Sequence, residues 1–429
     1  MDCLVRSNRL DRQASSPRTP WRRVGALVMA AWVAVSCSSG SDTPAPVTSV
    51  VPPPTSQGDI QDLGTYSIPP GQLLTTPLAV NALGASSMLL VALSGENQPP
   101  AIITNLKSPS GQTLVTVDPS DLDPIGKNLF QQAGFPVTAG MLPQTTTYTF
   151  ENGQYQFQIG NPSSAPITTQ ILAVLNRRLN PTGGALDLNL VFCGLQDLTG
   201  GNAFANQNFL VLFNEFRRIL AQAGIQMGTV LTFDCPTDLE AQLAIVDGDA
   251  EQALLFSLSP PDPNNIGLNI FFVQDIQLQG IAGVLGVAGG IPGPARIQGT
   301  GASGVAVSLV SPSIGALTSS DLLRRGRTMA HEVGHYLGLF HATERVGSTP
   351  SSPTNFLSVD PIPDTAECLA TVDLPPTGDN DGVVDPTECG VAGGGRNLMF
   401  WTQGPDVFGA RDQISANQSF VMVRNPLIR

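Results

Sequence analysis

Only three histidines occur in the 429 residues, and all fall in one short stretch, His331-Glu332-Val333-Gly334-His335-Tyr336-Leu337-Gly338-Leu339-Phe340-His341. His331 and His335 are four positions apart, so on a helix both imidazoles leave the same face and can hold one Zn²⁺. Glu332 follows the first of them and falls beside the metal, where its carboxylate can act on water as a general base. Gly338 tolerates a positive φ, which lets the chain leave the helix and turn. The turn brings His341 round as a third ligand. Three protein ligands leave a fourth position open, the arrangement of a catalytic rather than a structural zinc site. The motif uses every histidine, so none remains for a catalytic triad or a second histidine-bound zinc.

These residues need a helix and a sheet to hold them. Residues 322–337 read as the helix, opening at Ser319-Ser320-Asp321. A folded unit starts near Gly183-Gly184. Leu186, Leu188, Leu190 and Phe192 alternate as a strand; Phe209, Leu212, Phe213, Phe216, Leu220 and Ala223 recur at helical spacing, and Gly224 stops that helix. Strands are expected at 230–233, 254–257, 268–273 and 305–309, giving a mixed sheet with a helix packed on it. Residues 59–180 carry short apolar runs at 73–83, 88–93, 102–106 and 114–117. Alternation on both sides of Asn152-Gly153 reads as a hairpin over 148–159. Several short strands with turn signals between them predict a β-sandwich. The fold class expected is therefore α+β, with a β-sandwich at 59–180 followed by a catalytic domain at 184–429.

Composition limits the function classes. The net charge is −13 and the pI about 4.5, which gives nucleic-acid binding no electrostatic footing. Hydrophobic residues make up 41%, too many for a disordered chain. Six arginines precede an apolar run at 24–35 that is too short to span a bilayer but suits a signal peptide. The run ends in Ala34-Val35-Ser36-Cys37, followed by Ser and Gly, and resembles a bacterial lipobox. Residues 1–36 would then be a lipoprotein signal peptide, and Cys37 the lipidated first residue of the mature chain. A Ser/Pro-rich tether at 37–58 would hold the body off the membrane. The localisation expected is a bacterial outer-membrane or cell-surface lipoprotein; the alternative is an ordinary secreted protein. In an oxidising compartment Cys193, Cys235, Cys368 and Cys389 suggest two disulfides with three connectivities. Cys193–Cys235 and Cys368–Cys389 are the nearer pairs and are preferred; free buried thiols are the alternative.

The extended histidine motif resembles that of the metzincin metalloendopeptidases, whose other mark is a methionine turn beneath the metal. Asn397-Leu398-Met399-Phe400-Trp401 is the matching segment, with Met399 in a structural role. Within the metzincins, Glu332-Val-Gly-His-Tyr-Leu-Gly-Leu, Asp360-Pro-Ile-Pro-Asp364-Thr365 and the cysteines before the turn look like the pappalysin group. The resemblance spans residues 186–429 and implies a zinc endopeptidase acting on protein or peptide substrates. Trp401 stands where several metzincins place a tyrosine near the metal, so no tyrosine donor is supported there. No cysteine-switch propeptide motif is visible. In the other unit, Lys107-Ser-Pro-Ser-Gly111 and the segment 153–162 resemble the accessory sandwiches found beside secreted proteases.

A second constellation follows calcium-loop spacing. Asp379, Asp381, Asp385 and Glu388 match its third, fifth, ninth and twelfth positions, Gly382 takes the sharp turn, and Thr377 replaces the usual first aspartate. Ca²⁺ would relieve the repulsion of these carboxylates; the alternative is a solvated acidic loop. The pappalysin resemblance also implies calcium near the cleft. The function expected is zinc-dependent peptide hydrolysis with Glu332 as base. The rivals are a non-catalytic surface adhesin on the same scaffold and a zinc hydrolase with non-peptide substrates.

Overall fold

The computed structural model describes residues 60–95, 98–115, 131–134, 136–258, 265–277, 284–347, 360–376, 378–402 and 409–429. The leader, Cys37, the tether and Thr377 lie outside the described residues. All described residues belong to one compact unit, Ser49–Arg429.

The first nine strands are β1 (Ile60–Ile68), β2 (Leu78–Asn81), β3 (Ser87–Ser94), β4 (Ile102–Lys107), β5 (Thr113–Val115), β6 (Gln131–Gly134), β7 (Val137–Leu142), β8 (Gln154–Gly160) and β9 (Ile167–Asn176). They form a five-stranded sheet in the order β1-β9-β3-β7-β6 and a four-stranded sheet in the order β2-β8-β4-β5. Every pairing within them is antiparallel.

Successive strand residues point to opposite faces, and the five-stranded sheet buries both. Met88, Leu90 and Ala92 of β3, with Ile171, Ala173 and Leu175 of β9, pack against Val80, Ile103, Phe157 and Ile159 of the four-stranded sheet. The alternate residues Leu89, Val91, Leu93, Met141, Leu172 and Val174 join a second core, built with the rest of the chain. A strand buried on both faces reads as a continuous apolar run, which is why 88–93 shows no polar alternation.

The second half begins with β10 (Gly184–Phe192), α1 (Gln207–Leu220), β11 (Ile225–Asp234), α2 (Glu240–Leu243), β12 (Ile245–Val246) and α3 (Asp249–Ser257). It continues with β13 (Leu268–Val273), β14 (Asp275–Ile276), β15 (Gly286–Ala288), β16 (Val305–Ser308), α4 (Ser319–Tyr336), α5 (Pro386–Cys389) and α6 (Ala416–Met422). The main sheet runs β11-β10-β13-β16-β15; its first four strands are parallel and β15 is an antiparallel edge. Leu190, Phe192, Ile270, Phe272, Val305 and Val307 face α1 and α4, while Val191, Phe271, Val273 and Ala306 pack on Leu243, Leu255 and Phe256. The molecule is thus a mixed α/β structure with several sheets and few helices, compatible with the α+β class. Among the described residues no helix is long and apolar enough to cross a membrane.

Local signals place the two main helices. The Asn206 side chain accepts from the amides of Asn208 and Phe209 to cap α1, and Gly224, at φ +69°, ends its last turn. A capping box between Thr318 and Asp321 opens α4 at Ser319, three residues ahead of the expected 322.

Two expected elements differ. Residues 254–257 lie in α3, not in a strand: Asp249 and Glu251 sit in its first turn, and Gln252, Leu255 and Phe256 are buried at helical spacing. The hairpin at Asn152-Gly153 lacks its first limb, because β8 is already paired on one edge with β2 and on the other with β4. Residues 148–151 instead contact β8 through side chains. Phe150 stacks on Tyr155 at 5.1 Å, and the Tyr155 hydroxyl accepts from the Glu151 amide at 2.8 Å. The two disulfides join Cys193 to Cys235 and Cys368 to Cys389, with Cα atoms 4.9 and 5.5 Å apart.

Candidate metal centre

Helix α4 carries His331, Glu332 and His335 in its last two turns, and all three are buried. Gly338 follows at φ +109°, donating its amide to the His335 carbonyl at 2.9 Å. A Cβ at Gly338 would lie 2.9 Å from Met141 Cε, so β7 of the first half packs against the turn. The reversal brings His341 back over the helix face. His341 Nε2 lies 3.2 Å from His331 Nε2 and 3.1 Å from His335 Nε2.

The other ring nitrogens explain which atoms are available. His331 Nδ1 donates to the Leu398 carbonyl at 2.7 Å, and His335 Nδ1 to the Leu339 carbonyl at 2.7 Å. His341 Nδ1 donates to Glu344 Oε2 at 3.0 Å. Carbonyl and carboxylate oxygens only accept, so each Nδ1 carries the proton and each Nε2 of a neutral ring presents a lone pair. Burial pushes the His331 pKa down to about 3, helped by His341 and partly offset by the Leu398 carbonyl. Burial also holds His335 well below the usual histidine range, with His331 and His341 adding to the shift. Three lone pairs converging on one point repel one another unless a cation lies between them. Tetrahedral zinc with bonds of about 2.0–2.1 Å spaces its nitrogen ligands by about 3.3–3.4 Å, close to the observed separations. The three residues therefore fit a metal ion.

Glu332 is buried beside this cluster, and among the described residues none donates a hydrogen bond to its carboxylate. Burial pushes its pKa up to about 8. The edge strand passes against it: a Cβ at Gly286 would lie 2.6 Å from Glu332 Cγ and 2.8 Å from Thr328 Cγ2. Only glycine lets β15 run this close to α4.

Met399 is fully buried against α4 at Gly334. Its sulfur fills the space a Cβ at Gly334 would need, at 2.7 Å. The turn is fixed by Asn397, whose Oδ1 accepts from the Met399 amide at 2.8 Å and whose amide group exchanges hydrogen bonds with Gln418 of α6. The same turn presents the Leu398 carbonyl to His331. Trp401 turns away and donates its indole N–H to the Val384 carbonyl at 2.7 Å.

No family model and no curated protein matches the chain. Among solved structures it is similar to metalloproteinase-II from Bacteroides fragilis, with a TM-score of 0.25 and 14% identity. That likeness covers 45% of this chain and 58% of the other, so the chain spans less than two thirds of that structure. Overlap at this level specifies no residue role.

A second group could also hold a metal: Asp373, Asp379 and Asp381. The structure brings Asp379 and Asp381 together with Asp373, which spacing alone did not single out. Asp385 and Glu388 are placed differently. Asp385 caps α5, accepting from the amides of Thr387 at 2.7 Å and Glu388 at 3.0 Å. Glu388 closes the capping box on the Asp385 amide at 2.9 Å and also accepts from the Asp379 amide at 3.3 Å. Gly382 holds φ +83° at the turn between them.

Sequence reasoning missed the two carbonyl acceptors, Leu339 and Leu398, because every residue type offers a carbonyl. It missed Glu344 although a carboxylate three residues after a ligand histidine is a readable signal. Asp373 lies ahead of the loop window and leaves no spacing signature.

Proposed function

We propose that this protein is a zinc-dependent endopeptidase, with His331, His335 and His341 as the metal ligands and Glu332 as the general base. The observation that carries the reading is the convergence of three Nε2 lone pairs while each Nδ1 proton is committed elsewhere. A zinc ion bound there supplies Lewis acidity, which lowers the pKa of water and polarises a peptide carbonyl. Beside the charge of a bound zinc the buried Glu332 carboxyl would stay ionised, and it would then perform the proton transfers. Its carboxylate takes a proton from the attacking water as the C–O bond forms, and returns it to the amide nitrogen as the C–N bond breaks. A base without competing hydrogen bonds, in a site that excludes most water, suits this role. Met399 and Gly334 keep the helix and the turn in register and do no chemistry. The edge strand β15 favours a peptide over other substrates, since an extended chain can pair with a strand edge beside Glu332.

The wider reading is a metzincin-like catalytic domain at 184–429 with a β-sandwich at 59–180. A signal peptide at 1–36 and lipidation of Cys37 would place it on a bacterial outer membrane or cell surface. Ca²⁺ at Asp373, Asp379 and Asp381 is a second metal in this proposal. The deciding experiment is a peptide-library digest by wild type and Glu332→Ala, each assayed for zinc. Cleavage by wild type with about one Zn²⁺ per chain supports the proposal. A zinc-loaded wild type that cleaves no peptide would favour a binding protein on the same scaffold.

A further inference from the structure

The three histidines are not held alike. His331 and His335 stand on α4 and give Nδ1–H to neutral main-chain carbonyls, each at 2.7 Å. His341 stands beyond the helix, its side chain is 25% exposed, and its Nδ1 partner is the Glu344 carboxylate at 3.0 Å. Helix α4 meets the His341 ring at Nε2, through His331 and His335; among the described residues its Nδ1 side is met by Glu344. The backbone around Glu344 is fixed from both sides. Ala342 donates to the Met399 carbonyl at 2.9 Å, the Trp401 amide donates to the Thr343 carbonyl at 3.2 Å, and the Val384 amide donates to the Arg345 carbonyl at 2.8 Å. The Thr343 hydroxyl oxygen accepts from the Cys368 amide at 3.0 Å. The methionine turn and the Cys368–Cys389 loop thus clamp the segment that carries this carboxylate.

We infer that Glu344 is the positioning residue for His341, holding its Nδ1–H tautomer and ring orientation so that Nε2 completes the three-nitrogen set. This rests on the zinc reading of that set. A carboxylate behind an imidazole also makes the ring a stronger donor than a carbonyl does, because the hydrogen bond is charge-assisted. The ligand with the least support from its own helix is the one given an anionic anchor.

The test uses the full chain as wild type, Glu344→Ala and Glu344→Gln. The readouts are zinc affinity by chelator competition, the visible spectrum with Co²⁺ in place of zinc, and melting of the metal-free protein. Glu344→Ala should weaken zinc binding by about 10–100-fold and alter the Co²⁺ bands. Glu344→Gln, which keeps an acceptor but loses the charge, should fall between. Metal-free melting should stay at the wild-type value. Wild-type zinc affinity in both variants overturns the inference and leaves the zinc reading intact. Loss of affinity that tracks a fall in metal-free melting also overturns it, since the role would then be structural. A wild type that takes up no zinc overturns both readings. Should the alanine variant not fold, the near-isosteric glutamine variant decides.

Discussion

The histidine cluster and the aspartate cluster lie on the same half of the molecule, and both bring three ligand-type side chains together. They differ in what their atoms are already doing. Each histidine has its proton-bearing nitrogen tied down and its lone pair left over. The aspartates already brace the loop through four hydrogen bonds from backbone amides, although Asp379 and Asp381 each keep an oxygen that accepts none of them. Asp373 accepts from the amides of Asp381 and Gly382, both at 3.1 Å, Asp379 from Asp381 at 3.2 Å, and Asp381 from Val383 at 2.8 Å. His331 and His335 are also buried and His341 is half-buried, whereas Asp379 and Asp381 are exposed and can be solvated by water. A ligand set is recognised by unspent lone pairs aimed at one point, not by the proximity of acidic or basic groups.

The contrast can be broken most directly at His335. His335→Ala should abolish stoichiometric zinc and peptide hydrolysis together; metal analysis showing one zinc retained would defeat the three-histidine assignment. Next in size is Glu332→Ala, which should keep zinc while kcat falls roughly 10²–10⁴-fold. Cleavage at the wild-type rate would remove Glu332 as the base. Gly338→Ala comes third. Its φ of +109° strains any L side chain, and a methyl group there would have to push aside the flexible end of Met141, 2.9 Å away. The expected cost is about 1–3 kcal/mol in denaturant unfolding, with weaker zinc binding because His341 is carried by that turn. Asp385→Ala should cost about 1 kcal/mol through the lost helix cap, equally with and without calcium. A calcium-dependent loss would return Asp385 to the ligand set. The smallest effect belongs to the paired change Asp379→Asn, Asp381→Asn. Calcium should raise the wild-type Tm by less than zinc does, and this pair should erase that increment. A calcium shift as large as the zinc shift would cancel the contrast drawn between the clusters.

Much of the candidate metal centre was legible because its spacing is local. His331, Glu332 and His335 are related by the helix repeat alone, and Gly338 announces the turn that His341 needs. The elements α1, α4, β10, β13 and β16 were readable too, because their apolar periodicity is strong. The misses share a cause. Leu254-Leu255-Phe256 is a short apolar run that suits either a buried strand or a helix; packing on Phe271 and Ala306 decided for the helix. Asn152-Gly153 favours a hairpin locally, but β8 had both edges taken by strands distant in sequence. A carbonyl acceptor such as Leu398, 67 residues from the histidine it orients, leaves no trace in residue type.

The sequence by itself grouped His331, His335 and His341 with Glu332 and the turn glycine on one short stretch, and preferred the cysteine pairs nearest each other. Those follow from side-chain chemistry and short-range chain geometry. Tertiary structure alone decided that the five-stranded sheet buries both faces and leans on the Gly338 turn through Met141. It alone assigned the protons of the three imidazoles, gave Asp373 rather than Asp385 to the acidic group, and set Glu344 behind His341. The physical reason is common to all of these: whether a polar atom is spent or available depends on partners that only folding brings within hydrogen-bond distance.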